Sequence, residues 1–307
     1  MGVIERMAEH LKIHEKKEKV AIICGEIGGC NGLIPIIAAA QYAVKHGTSI
    51  DIVDGDFMGR AFPELQHCLP SIMGKCIAPV SCQDEYGNND LLEAEESDTN
   101  QDIEMKMRIK CVAMGMKVAI SMCPLKGHEL GKYVVPRTYT LSWNIGRVIS
   151  LAKQSNKDPL SALRESEHPM ISKAQIVYYG NIIGLHRKNE GGFSRGTVQI
   201  QRIEDGVNGG DDSGYVDADS VFIEIQNENL ILRTSEKVLI TVPDMITLLD
   251  DDYNPIFTEE LRYGLRATVI VFPAHSFMKT KEALSVIGPA AFGYKDTEYI
   301  PYGDVAQ

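Results

Sequence analysis

The chain has 307 residues, 44% of them hydrophobic, and a formal net charge of −11, which is long enough for two domains and apolar enough to bury a core. The acidic balance repels phosphate backbones and anionic membrane surfaces, so neither nucleic acid nor a membrane is an expected partner. No apolar run reaches membrane-spanning length, the opening MGVIERMAEHLKIHEKKEK lacks the apolar core of a signal peptide, and seven cysteines without a CxxC pair point to free thiols in a reducing compartment, so the expected location is cytoplasmic.

Residues 4–16 space Ile4, Met7, Leu11 and Ile13 loosely along one helix face. VAIIC at 20–24 is an apolar run of strand length, followed by the glycine-rich GEIGGCNG, the helical LIPIIAAAQYAVKHG and a second strand at 50–54. Strand, loop, helix and strand in that order predict a βαβ unit whose two strands are parallel neighbours. Residues 84–104 hold nine acids and neither Lys nor Arg, which predicts a solvated loop leading into a helix start, with no chemistry of its own. A helix over 103–114, a short strand near 118–122 and a helix over 139–155 follow, the last with Leu141, Ile145, Val148 and Ala152 on one face. The Pro-containing polar text SNKDP and SEHP marks a linker. From residue 174 the chain is a series of seven strand-like runs with turn-rich pieces between them, predicting a β sandwich or a partly closed barrel with short helices at about 258–263 and 280–287. The expected fold is therefore an α/β N-terminal domain, residues 1–156, built on the parallel βαβ unit, and a mostly β C-terminal domain, residues 172–307.

Chemistry concentrates at the end of the second strand, where VDGDFMGRAFPELQ supplies Asp54, Asp56, Arg60 and Glu64. Open α/β sheets place ligands at the carboxyl ends of their strands, which gives these side chains a geometric claim to a site. The structural alternative is that the aspartates cap a turn and Arg60 pairs with Glu64 at i,i+4 on a helix. GEIGGCNG fits no nucleotide fingerprint, since its glycines do not follow GxGxxG, and a tight strand-to-helix turn explains them. That turn explains Glu26 and Asn31 less well, and both are candidate hydrogen-bonding partners for a ligand. His275, after the strand RATVIVF, is a candidate acid or base. The eight histidines show no HxH or HExxH spacing, so neither a metal nor another cofactor is expected. Cys30 sits where a helix N-terminus favours a thiolate, although burial in packing is the commoner use of cysteine. Asn227, Glu228, Asn229 and Asp244 read at least as well as turn residues as they do ligand contacts. Arg195 has either an acid or a ligand within its reach.

Four stretches carry a resemblance: EIGGCNGLIPIIAAAQ, VDGDFMGRAFPELQ, GGFSRGTVQI and a long C-terminal run that includes QNENL, TVPDMITLLD, EELRYGLR, PAHSF and GPAAFGY. In this order they resemble the S-methyl thiohydantoin desulfurase domain family, which accompanies hydantoinase and oxoprolinase proteins. The family's GGGGDP-type front segment has no counterpart, so the chain reads as entering at the family's middle. The resemblance implies hydrolysis of a hydantoin- or thiohydantoin-type heterocycle, with Asp54 or Asp56 as general base, His275 as a further catalytic candidate, and Glu26, Asn31, Arg60 and Glu64 binding substrate. It also implies a hydantoinase or oxoprolinase partner and an oligomer. Two rival readings stand beside it: a non-catalytic partner subunit of such an assembly, and a nucleotide-binding enzyme built on the βαβ unit.

Overall fold

The computed structural model describes residues 2–13, 19–190, 192–203 and 215–302, and the chain divides into two compact units, Met1–Thr138 and Tyr139–Gln307. Residues 14–16 of the expected first helix, and the turn-rich segment 204–214, lie outside the described residues. Among the described residues no helix is long and apolar enough to cross a membrane.

In the first unit, helix α1 (Gly2–His10) buries Val3 and Met7, one helical turn apart. Strand β1 (Ala21–Cys24), helix α2 (Ile34–His46) and strand β2 (Asp51–Asp56) form the expected βαβ unit, with β1 and β2 parallel and Ala21 opposite Asp51. Helix α2 stops on Gly47, whose φ of 67° closes the last turn through a bond to the Ala43 carbonyl, a left-handed position at which a side chain costs energy. A second sheet places β3 (Val80–Gln83) between β4 (Asn89–Leu92) and β5 (Ala119–Met122), all antiparallel. Helix α1 is tied to this sheet by the Ser81 hydroxyl, which donates to the Val3 carbonyl at 2.7 Å.

The acid-rich stretch does lead into a helix, α3 (Asn100–Ala113), whose start is a capping box: the Thr99 hydroxyl accepts from Asp102 N–H while Asp102 accepts from Thr99 N–H. It also contains strand β4, which its polarity and brevity hid. Asp84 makes the turn before it by accepting the N–H groups of Tyr86 and Asn88. The unit's first sheet is completed by β6 (Val135–Pro136), antiparallel to the end of β2.

The second unit carries most of helix α4 (Thr138–Gln154), then α5 (Pro159–Arg164), capped by Asp158. All seven strand-like runs are strands: β7 (Gln175–Glu190), β8 (Phe193–Arg202), β9 (Ser220–Gln226), β10 (Glu228–Arg233), β11 (Val238–Thr241), β12 (Met245–Leu249) and β13 (Arg266–Phe272). They form one antiparallel sheet in the order β11-β10-β9-β8-β7-β13-β12. Alternate residues such as Val177, Val198, Ile223, Leu232, Ile240, Leu248 and Val269 make a single core on one face. The sheet curls around that core until β10 meets β12, where the Asn229 amide donates to the Ile246 carbonyl at 2.9 Å. Of the two expected architectures, this is the partly closed barrel.

On the opposite face, Leu141, Ile145 and Val148 of α4 pack with Leu163, Leu249, Ile270 and Phe272. The close β7–β8 pairing depends on Gly180 and Gly196, where an added Cβ would collide with the Gln201 and His186 carbonyl oxygens respectively. A last helix, α6 (Lys281–Ile287), starts on the Thr280 hydroxyl.

Candidate functional site

The carboxyl ends of β1 and β2 lie together because the strands are parallel, and the loops leaving them hold Glu26, Asn31, Asp56, Arg60 and Glu64. Asp56, the last residue of β2, is 0% exposed. Its carboxylate accepts Ile27 N–H at 2.8 Å from the loop after β1, and Gly59 N–H at 2.9 and 3.0 Å from its own loop. Met58 N–H adds to this set, and Thr138 lies close by. One side chain thus fixes two separate loops. Burial pushes its pKa up to about 7, against the pull of those donors. Sealed from solvent, Asp56 acts through the loops it holds.

Those loops fit closely: a Cβ on Gly28 would stand 2.7 Å from the Ala61 side chain. Glu26 is held in the gap, one carboxylate oxygen accepting Phe62 N–H at 3.1 Å and the other accepting from the Asn31 amide. Asn31 is exposed and Glu26 partly so. Asp54 is exposed, two residues before Asp56 on β2, and its carbonyl accepts the N–H of Arg137, a residue with φ of 63°.

Arg60, though largely buried, donates from Nε to the Ala61 carbonyl at 3.1 Å and lays its guanidinium over Phe62 at 5.1 Å. Residues 57–64 are loop, so the alternative of an i,i+4 pair on a helix does not describe Arg60 and Glu64. Glu64 accepts from the Gln66 amide. It lies 3.8 Å from His67 Nε2, but burial pushes the His67 pKa down to about 4, so that ring is neutral and the contact is no ion pair at neutral pH.

Two supports escaped the reading of the sequence. Glu104 of α3, 6% exposed, accepts Leu65 N–H at 3.0 Å and pairs with Arg108, which also donates to the Pro63 carbonyl at 3.2 Å. It sat in the acid-rich stretch to which no role was given; its signal was the Glu104–Arg108 spacing of four on a helix. Thr138 carried no signal.

The remaining candidates belong to other elements. His275 belongs to the second unit, where its Nδ1 accepts Phe277 N–H at 3.2 Å and caps a short 3-10 turn. Burial and then Lys279 lower its pKa, consistent with a neutral ring accepting at Nδ1. Asp244 is fully buried and accepts Ala274 N–H, the Tyr299 hydroxyl and Tyr302 N–H at 2.6, 2.9 and 3.0 Å. Asn227, with φ of 56°, accepts the N–H of Ser194, 33 positions away in the chain, instead of bonding its own backbone. Cys30 is exposed, whereas burial pushes the Cys68 and Cys123 thiols up to about 12 and makes them poor nucleophiles. Among the described residues no group of three or more His, Cys, Asp or Glu is placed to hold a metal ion.

No curated protein matches the chain. A crystal structure of a protein from Chromobacterium violaceum shares its fold, with a TM-score of 0.69 at 20% identity over 96% of this chain and 77% of that one. Residues 2–94 match the family described as S-Me-THD-like, N-terminal domain, and residues 97–302 match S-Me-THD-like, C-terminal domain. The match over residues 2–94 shows that text of the N-terminal family domain lies within this chain. With both domains matched in order, the chain belongs to the S-Me-THD-like family.

Proposed function

We propose that this chain hydrolyses the carbon–sulfur bond of an S-methyl thiohydantoin-type heterocycle at the ends of β1 and β2, releasing methanethiol. Family membership supports the reaction class. The observation that carries the location is the Glu26–Asn31 pair, held at the surface by loops that the buried Asp56 fixes. A carboxylate and an amide side by side offer an acceptor for a ring N–H and a donor for a ring carbonyl or nitrogen. Asp54, on the same strand and open to solvent, is the base that reaches water.

Asp54 takes a proton from water as the oxygen attacks the ring carbon bearing the S-methyl group. The new C–O bond forms, the C–S bond breaks, and the departing methanethiolate leaves with the proton returned from Asp54. The second proton of the water passes from the attached oxygen to the ring nitrogen that had been doubly bonded to this carbon, which becomes a carbonyl, so the balance is heterocycle plus water giving hydantoin plus methanethiol, with no redox change. Arg60, anchored on Phe62, and Glu64 keep the loop in shape around the ring. Incubation of the purified chain with an S-methyl thiohydantoin, assaying methanethiol, tests the proposal; absence of turnover by a folded chain sinks it.

A non-catalytic partner subunit is the second reading. Its support is exposed apolar surface on two helices, Leu33, Ile34 and Ile37 at α2 and Met105, Ile109 and Val112 along α3, a composition typical of contact surfaces. The same assay separates the two, since a partner subunit gives no methanethiol alone and gains turnover when mixed with a hydantoinase or oxoprolinase protein.

A further inference from the structure

Arg137 breaks two local rules beside Asp54. Its φ of 63° is left-handed, a conformation that costs a side chain energy and that glycine or asparagine adopts more readily. It also stands immediately before α4, where the positive end of the helix dipole disfavours a cation and a short polar residue would cap the first turn. Its side chain offsets none of this within the fold. The residue is exposed, and among the described residues its guanidinium has neither a hydrogen-bond nor an ion-pair partner.

Strands β2 and β6 are antiparallel with Gly55 opposite Pro136, so the next position along puts Arg137 opposite Asp54, and Arg137 N–H donates to the Asp54 carbonyl at 2.8 Å. Opposite residues in such a pair carry their side chains on one face, close enough for opposite charges to meet. An extended Arg137 would therefore pair with Asp54. The left-handed φ turns the chain off the pleat instead, and no ion pair joins the two. A cation is thereby kept beside Asp54 without engaging it. Arg60 cannot take this place, since it is largely buried and committed to the Ala61 carbonyl and the Phe62 ring.

We propose that Arg137 selects a heterocycle that carries a carboxylate on a short arm from the ring, an inference that rests on the site proposed above. With the reacting carbon before Asp54, the arm reaches the guanidinium on the adjoining strand, and the planar fork meets the carboxylate with two parallel hydrogen bonds. The acids Glu26, Asp54 and Glu64 repel an anion that lacks this partner, and repel a dianionic phosphate more strongly than a carboxylate. Arg137 is thus a specificity residue, and no bond-breaking step uses it.

The test titrates the full chain with hydantoin-5-acetic acid and with hydantoin-5-acetamide, a neutral ligand of the same size, read by amide chemical shifts. Both carry the ring that the proposed reaction produces, so neither is consumed. The expected result is that the carboxylate binds at least about tenfold more tightly than the amide, and that Arg137→Asn brings the two affinities to within about twofold of each other. Because asparagine tolerates a left-handed φ and caps helices, the variant is also expected to melt at a higher temperature. Equal binding of the two ligands by the wild type overturns this inference and leaves the hydrolysis standing. Failure of both to bind at about 10 mM also overturns it, and methanethiol release then judges the hydrolysis separately. A preference that survives Arg137→Asn removes Arg137 from the site. A lowered melting temperature in both Arg137→Asn and Arg137→Gly shows that the guanidinium serves the fold, and this too overturns the inference.

Discussion

Replacing Asp56 by Asn changes how stability depends on pH, and the size of the change follows from its burial. The carboxyl has an ordinary value of 3.8 and is pushed to about 7 in the folded chain, a difference of about 3 units, or on the order of 4 kcal/mol. The sign is the less common one for an aspartate. Folded Asp56 holds its proton more tightly than the unfolded chain does, so its contribution is fully present below 3.8 and is lost as pH rises through about 7. Between about pH 5 and pH 8 the loss is on the order of 2–3 kcal/mol.

His67 masks it in the wild type. Its folded value of about 4 lies below the ordinary 6.5, so its contribution grows by roughly 2 kcal/mol over the same interval. The two slopes nearly cancel, and the wild-type curve alone is uninformative. The useful quantity is the difference between wild type and Asp56→Asn, from urea unfolding at several pH values. Asn does not titrate, and its NH₂ faces the Ile27 and Gly59 donors, so the variant is less stable at acid pH. That deficit is expected to shrink by on the order of 2–3 kcal/mol on going from pH 5 to pH 8. A deficit that stays constant over the interval refutes the raised Asp56 value and, with it, the claim that this carboxylate is sealed from water.

Asp54→Asn is expected to leave the melting temperature within a degree or so and to slow methanethiol release by about 100- to 10,000-fold, since an amide cannot serve as general base. Unchanged turnover removes Asp54 from the mechanism. Thr99→Ala breaks the capping box at the start of α3, and denaturant unfolding should record a loss of about 1 kcal/mol. Gly196→Ala forces a methyl group against the His186 carbonyl, so β7 and β8 must part; a loss of about 1–3 kcal/mol is expected by calorimetry, and a neutral result means the pairing is looser than described.

The fold was legible where one periodicity ran long enough to be unambiguous. The seven strands of the second unit, the α4 face of Leu141, Ile145 and Val148, and the parallel pair around α2 all declared themselves through apolar spacing. Strand β4 did not, because Asn89–Leu92 is only four residues long, shows no alternation and lies within an acidic stretch. Barrel curling was open because closure brings together strands far apart in the sheet order, with the Asn229 side chain reaching a carbonyl on a strand five places away.

At the site, spacing brought out Glu26, Asn31, Asp54 and Asp56 as a group but could not separate the sealed aspartate from the open one. That distinction lies in where β6 returns: Gly55 pairs with Pro136 and Asp56 with Val135, which brings Thr138 to the carboxylate. A partner some eighty residues away in the chain leaves no local pattern. His275 looked reactive for the same reason. Its loop signal is identical for a cap and for a catalyst, and only the Phe277 N–H pointing at Nδ1 tells them apart.

The curled sheet has two terminal strands, and each is occupied on its outer side. Beyond β11, Thr241 N–H donates to the Ile300 carbonyl and Ile300 N–H donates to the Thr241 hydroxyl. Beyond β12, the chain turns back so that Leu249 bridges Pro255 and Ile256 N–H reaches the Leu248 carbonyl. At these positions the main chain has little left to offer an incoming strand. Templated strand addition, the usual hazard of a long antiparallel sheet, is thereby blocked there, and any self-association by this unit has to be built from side chains, which makes it tunable by point substitution.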